Sequence, residues 1–289
     1  MKIIAILFGR AIKDFSYFID EINNVDKDTI IRLVTQDEYL LINTDEYDVL
    51  LYNTFPDEKH WKFNTEIVSK CDKKFHNFKG LKILFDTHDN GTRDGFTRFN
   101  GLNLPRIKAN PCYDIINKMN VIAAIPYFCS PSYCRPSEER VNKIVCAMRT
   151  KRMPFIRKNI YEKIKQFNPD NEWLPFRKHA SRLCHALINI VPTGNGDSSK
   201  SHVDTLAAGA LLMAEKNITN IKILPYADLE DGKNFVSFNL DNVCDKLDFL
   251  LNNYERVTSI RVAGLNAFKV GYNPNKSANQ LLNWIESNI

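Results

Sequence analysis

The stretch TGNGDSSKSHVDTLAAG, residues 193–209, contains the parts of a phosphate-binding device. Gly194 and Gly196 frame a Gly-Asn-Gly turn, Asp197 follows, and Ser198 or Ser199 can cap a helix that takes in Lys200. Unpaired backbone N–H groups at such a helix start bind phosphate, helped by the positive end of the helix dipole. Asp204 lies about one turn into the helix. It either faces a ligand and accepts hydrogen bonds from ribose hydroxyls, or points to solvent as an ordinary helical acid. Gly209 is placed to end the helix in the left-handed conformation, which glycine adopts without steric cost. An apolar run then closes on Glu215.

Apolar runs that alternate with amphipathic segments supply the elements to position this device. Strands are predicted at 2–9, 30–34, 48–53, 82–86, 121–125, 143–148, 187–191, 210–214, 221–224 and 235–238. Their nearly continuous Val/Ile/Leu character implies burial on both faces, as in a parallel sheet covered by helices. Helices are predicted at 154–167, 175–186, 199–208, 242–253, 256–268 and 277–286. Strands alternating with helices define an α/β fold. The segment CSPSYCRPSEER, residues 129–140, is rich in proline and serine and reads as a hinge. The expected architecture is two Rossmann-like domains with parallel sheets, residues 1–133 and 134–289, facing across a cleft. Ligands in such sheets sit beyond the carboxyl ends of the strands.

The chain of 289 residues suits one large or two ordinary domains, and its charged fraction of 25% fits a globular protein. A net charge of +5 suits an anionic small ligand and is too mild for nucleic acid, whose readers concentrate basic residues in patches. The 7 cysteines form no CxxC pair and are odd in number, as expected of reduced thiols in a cytoplasmic protein. MKIIAILFG is too short for a membrane span or a signal core, so an integral membrane segment is not expected.

Order and spacing in the second half add a resemblance. KIVCAMRTKR, VDTLAAG and EDGKNF follow one another, and an Arg-x-x-Ala-Gly helix and a terminal helix come after them. This resembles the donor-binding domain of glycosyltransferases with two Rossmann-like domains, the GT-B fold. The pattern is most similar to a short glycosyltransferase-like family with a spore-coat-associated branch. The resemblance spans roughly residues 140 to 289, and the first half rests on the α/β pattern alone. Two departures stand out. The helix acid is usually Glu and here is Asp204, and a second Glu eight positions earlier is replaced by Gly196 beside Asp197. Retention or inversion of stereochemistry therefore stays open.

The resemblance implies a nucleotide-sugar donor, UDP- or GDP-linked, as co-substrate, with no further cofactor and no resident metal. A glycan or other hydroxyl compound on protein or lipid would be the acceptor. Departing pyrophosphate then needs cations and helix N-termini. Arg149, Lys151 and Arg152 in MRTKR and Lys200 are the candidates, each otherwise an ordinary surface cation. Asp231, Gly232 and Asn234 form a turn that either closes on the donor or is a plain surface turn. In the first half, LKILFDTHDNGTRDGF brings Asp86, His88 and Asp89 to the end of a buried strand. A carboxylate or imidazole there can take the proton from an attacking hydroxyl. The same trio could instead form a structural loop or bind metal, although zinc sites need more ligands. Asn53, Thr54 and His60 follow another strand and could reach the acceptor, with Trp61 or Tyr127 stacking on a sugar ring. Cys184 and His185 read as core. A nicotinamide oxidoreductase would need GxGxxG after the first strand, where ILFGRAIKDF has one glycine. A non-catalytic nucleotide-sugar-binding protein is the other alternative.

Overall fold

The computed structural model describes residues 1–6, 11–53, 65–86, 104–108, 121–124, 136–147, 155–193, 200–220 and 223–289. The described chain forms two compact units, one of Met1–Ile125 with Pro274–Ile289 and one of Pro126–Asn273. The fold is α/β with a parallel sheet in each unit.

In the first unit six strands are β1 (Lys2–Ile6), β2 (Ile30–Val34), β3 (Val49–Asn53), β4 (Leu81–Asp86), β5 (Arg106–Lys108) and β6 (Val121–Ala124). They pair in parallel in the order β2-β1-β3-β4-β5-β6. All five residues of β3 are buried, which only a sheet covered on both faces can achieve. Covering comes from α1 (Ala11–Val25), α2 (Gln36–Leu41) and α3 (Thr65–Asn77). Thr35 and Glu38 begin α2 with a capping box: Glu38 N donates to Thr35 Oγ1 at 3.3 Å, and Thr35 N donates to Glu38 Oε2 at 2.8 Å. Val68, Cys71 and Phe75 of α3 are buried at helical spacing, and Lys74 Nζ donates to the Tyr39, Leu40 and Ile42 carbonyls that end α2.

In the second unit β7 (Val141–Val145), β8 (Ala186–Val191), β9 (Leu211–Glu215) and β10 (Val236–Phe238) form a parallel sheet in the order β10-β9-β8-β7. The accompanying helices are α4 (Phe155–Ile164), α5 (Phe176–His185), α6 (Lys200–Ala207), α7 (Val243–Leu251) and α8 (Tyr254–Gly271). Ile188, Leu211, Met213, Val236 and Phe238 of the sheet share one core with Val243 and Leu247 of α7 and with Val257 and Ile260 of α8. Residue 170 shields the free edge of β7 through Asp170 N to Ile144 O at 2.8 Å and Cys146 N to Asp170 O at 2.9 Å. At the amino ends of these strands Arg140 donates to Leu183 O and Ala186 O at 3.0 Å and to Ala208 O at 2.7 Å. Desolvation, with the Arg261 guanidinium nearby, pulls Arg140 down to about 10, which still leaves it charged at neutral pH. One guanidinium thus ties the carbonyls near the ends of α5 and α6 to the start of β8.

The last helix, α9 (Pro274–Glu286), packs on α1 and β6 of the first unit, although the sequence reading carried the second domain through residue 289. Ala278, Leu281, Leu282 and Ile285 give it a buried stripe at 3.6-residue spacing, and no such stripe encodes which sheet it will cover. Two further expectations change. Ile223 and Leu224, read as part of a strand, are buried but lie in a bend. A short apolar run cannot separate strand from buried turn. His185, read as core, is exposed at the end of α5, whereas its neighbour Cys184 is buried.

Candidate functional site

The carboxyl edge of the second sheet is built by the ends of β7, β8 and β9. Helix α6 follows β8 in the chain and precedes β9, so its amino end lies at that edge and its carboxyl end at the opposite one. Gly209 ends α6 with φ +67°, the left-handed conformation expected from the sequence. Gly209 N donates to Leu206 O at 3.0 Å and Ala210 N to Thr205 O at 3.2 Å, which satisfies the last carbonyls of the helix.

A buried polar chain fixes α6 against the sheet. Asn189, in the middle of β8, donates to Thr205 Oγ1 at 2.6 Å, and Thr205 Oγ1 donates to Ser201 O at 2.5 Å. Buried amides are costly unless bonded, so this contact selects one rotation of the helix about its axis. With that rotation Asp204 is only 2% exposed, as is His202. The solvent-facing alternative for Asp204 is thereby excluded. An acid kept this far from water on the first helix after β8 is placed for directional hydrogen bonding rather than for solubility. His202 and Asn189 were missed in the sequence. The available signal was an amide inside the otherwise apolar run ALINIV.

Asp231, Gly232 and Asn234 come together in one turn whose polar groups are engaged internally. Asp231 accepts from Ser237 N at 2.6 Å and from Ser237 Oγ at 2.5 Å. Asn234 accepts from Glu230 N at 2.8 Å and donates to Asp228 O at 3.0 Å. Gly232 has φ +73°, and its carbonyl accepts from Arg256 Nη2 at 2.6 Å. Burial alone would push the Asp231 carboxyl up. The Ser237 bonds, the Lys246 ammonium and the Gly232 N–H outweigh it and hold the carboxyl below its ordinary 3.8. A depressed carboxyl stabilises the fold fully above that ordinary value, and the contribution is lost as pH falls through the lowered folded value. Asp231→Asn should therefore lower the melting temperature at pH 7, and the gap to the parent should close as pH falls below about 3.8. A gap that persists in acid would show that the charge is irrelevant.

Near the edge, Cys146 follows β7 and is fully buried. Burial pushes its thiol up to about 12 against the opposing pull of the nearby Arg157 guanidinium, so it is no nucleophile at neutral pH. Arg157, in the first turn of α4, donates through Nε to Thr193 O at 3.0 Å and through Nη2 to Pro192 O at 3.4 Å. Glu215, at the end of β9, accepts from Thr193 N. The sequence reading placed Glu215 at the strand end and passed over Arg157. Its only signal was a cation at the start of the helix after a strand.

Of the other expected residues, Arg149, Lys151, Arg152, Gly194, Gly196 and Asp197 lie outside the described residues, as do His88, Asp89, Thr54, His60, Trp61 and Tyr127. Lys200 begins α6 and Asp86 ends β4, each described in its backbone. Asn53 is buried at the end of β3 and donates to Phe85 O at 3.0 Å, which ties the carboxyl ends of β3 and β4 together. None of the described cysteines is in a disulfide. Among the described residues no cluster of three His, Cys, Asp or Glu could hold a metal ion, and no helix is long and apolar enough to cross a membrane.

No protein-family model matches the chain. No curated protein matches it by sequence. Solved structures do match in fold. HepE of Anabaena in complex with UDP and glucose superposes with a TM-score of 0.64 at 9% identity, over 99% of this chain and 100% of that one. Sucrose-phosphate synthase of Thermosynechococcus elongatus gives 0.60 at 9% identity, over 99% and 98%. The BGT of phage T4 in complex with UDP and Mn2+ gives 0.58 at 14% identity, over 99% and 99%. Essentially the whole of this chain is therefore built on the GT-B glycosyltransferase fold.

Proposed function

We propose that the chain is a glycosyltransferase that moves a sugar from a nucleoside-diphosphate donor to a hydroxyl acceptor. One observation carries the reading: on a fold shared along its full length with UDP-bound proteins, the first helix after β8 carries a buried carboxylate, Asp204. Ribose hydroxyls are the partners such a carboxylate suits, and the amino end of α6 suits the diphosphate. Lys200 and the cations of MRTKR supply the remaining charge against the leaving group. Asp86, with His88 and Asp89 after it, is the proposed source of the base for the acceptor hydroxyl. The kinship with the short spore-coat-associated family and a cytoplasmic setting belong to the same proposal.

Purified protein incubated with UDP-, GDP- and other nucleotide sugars tests it. Release of free nucleotide from one donor class, faster with glycan acceptors present, is expected. Donor binding without turnover on any acceptor would instead favour a non-catalytic binder. No binding of any nucleotide would overturn both.

A further inference from the structure

We propose that Arg157 and Glu215 are positioning residues that hold the donor-binding edge by gripping one backbone unit from both sides. The inference rests on the glycosyltransferase reading and deepens it. The peptide between Pro192 and Thr193 leaves β8 at the carboxyl edge of the second sheet. Its N–H donates to Glu215 Oε2. Its carbonyl, on Pro192, accepts from Arg157 Nη2 at 3.4 Å. The next carbonyl, on Thr193, accepts from Arg157 Nε at 3.0 Å. A cation on the oxygen and an anion on the hydrogen polarise the same peptide in the same sense.

Ordinary strand exits leave these groups to water or to the following turn. Here two charged side chains reach the exit from α4 and from β9, elements far apart in sequence. Charge-assisted bonds are roughly twice as strong as neutral ones. The planar guanidinium spans two successive carbonyls, a fit that a lysine ammonium cannot reproduce. The gripped unit precedes α6, so the direction in which the chain leaves β8 sets where the amino end of α6 begins. Neither side chain needs to touch the donor. They act through the backbone, and small misplacements at a binding edge are costly, about 100-fold for 1 Å in reacting systems.

The test compares Glu215→Ala, Glu215→Gln, Arg157→Ala, Arg157→Lys and the double alanine variant with the parent. UDP affinity, donor KM, kcat and melting temperature are read for each. Both alanine variants should raise donor KM and the UDP dissociation constant about tenfold or more, the loss of one charge-assisted bond for Glu215 and of two for Arg157, with kcat changed far less. Glu215→Gln keeps an acceptor oxygen for Thr193 N–H and should recover most of the affinity. Arg157→Lys should recover little. The double variant should be no worse than the weaker single one, because both act on the same peptide. If an alanine variant fails to fold, the Gln and Lys variants carry the comparison. Unchanged KM with a lowered melting temperature would reduce the pair to a structural tie and overturn the proposal. Failure of the parent to bind UDP or any donor would overturn the glycosyltransferase reading itself, and this inference with it.

Discussion

Asp204→Asn is expected to weaken UDP binding about 10- to 100-fold while the second unit stays folded. The substitution keeps the shape of a side chain that is 2% exposed, removes its charge and replaces one acceptor oxygen by an amide donor. Hydrogen bonds to a charged group contribute about 1.5–3 kcal/mol, and each 1.4 kcal/mol is a factor of about ten in affinity. The helix should survive, because its register is held elsewhere. Asn189 and Thr205 fix its rotation, and Gly209 closes its end. A comparison of UDP with its 2′-deoxy analogue by calorimetry isolates the role. The parent should prefer the ribose form, and the preference should shrink in the Asn variant. An identical preference in both proteins would show that Asp204 does not read the sugar of the nucleotide.

Gly264→Ala should strongly destabilise the second unit. A Cβ at Gly264 would lie 2.6 Å from Asn234 O and 3.1 Å from Leu206 Cδ2, so α8 could not keep its approach to the 230–235 turn and to α6. The nearer atom is a backbone carbonyl inside a turn cross-tied by Asn234 itself, and it cannot swing aside. Overpacking of this kind costs about 3 kcal/mol, or roughly 10 °C in melting temperature for a unit of this size. Gly232→Ala makes the control. Its added carbon would meet nothing closer than Arg256 Nη2 at 3.8 Å, so the cost is confined to φ +73° in a non-glycine residue, about 1 kcal/mol. Urea denaturation followed by tryptophan fluorescence measures both. Equal losses would mean that α8 shifts freely and that the contact with the turn is not specific.

Much of the fold could be read in the residues. Ile30–Val34 was expected as a strand and is β2, and the strands at β3, β4, β8, β9 and β10 fall within one residue of their expected ends. A parallel sheet buried on both faces writes itself as unbroken Val/Ile/Leu runs. Of the first-unit helices, α9 was expected at 277–286, whereas α1, α2 and α3 were not read. In α3 the buried apolar positions are only Val68, Cys71 and Phe75, with Ile67 partly buried beside them, and they are set among lysines that run over the surface. β5 has three residues, two of them basic, and owes its strand state to neighbours on both sides. Asp204 lies within α6, as its position before the glycine that ends the helix implied. Asp231 and Asn234 were grouped correctly with Gly232 in one turn, but their bonds run within the turn and to β10.

The chain's own residues determined the α/β class, the helix that Gly209 ends, and the acid carried on that helix. These depend on side-chain periodicity and on the conformational freedom of glycine, both local properties. Tertiary structure alone decided that Asp204 is buried, that α9 covers the first sheet, and that Arg157 and Glu215 meet on one peptide. Each of those outcomes joins residues far apart in the chain. Spacing along a sequence records which face a side chain takes on its own element, whereas its partners follow from how the elements pack to remove apolar surface from water.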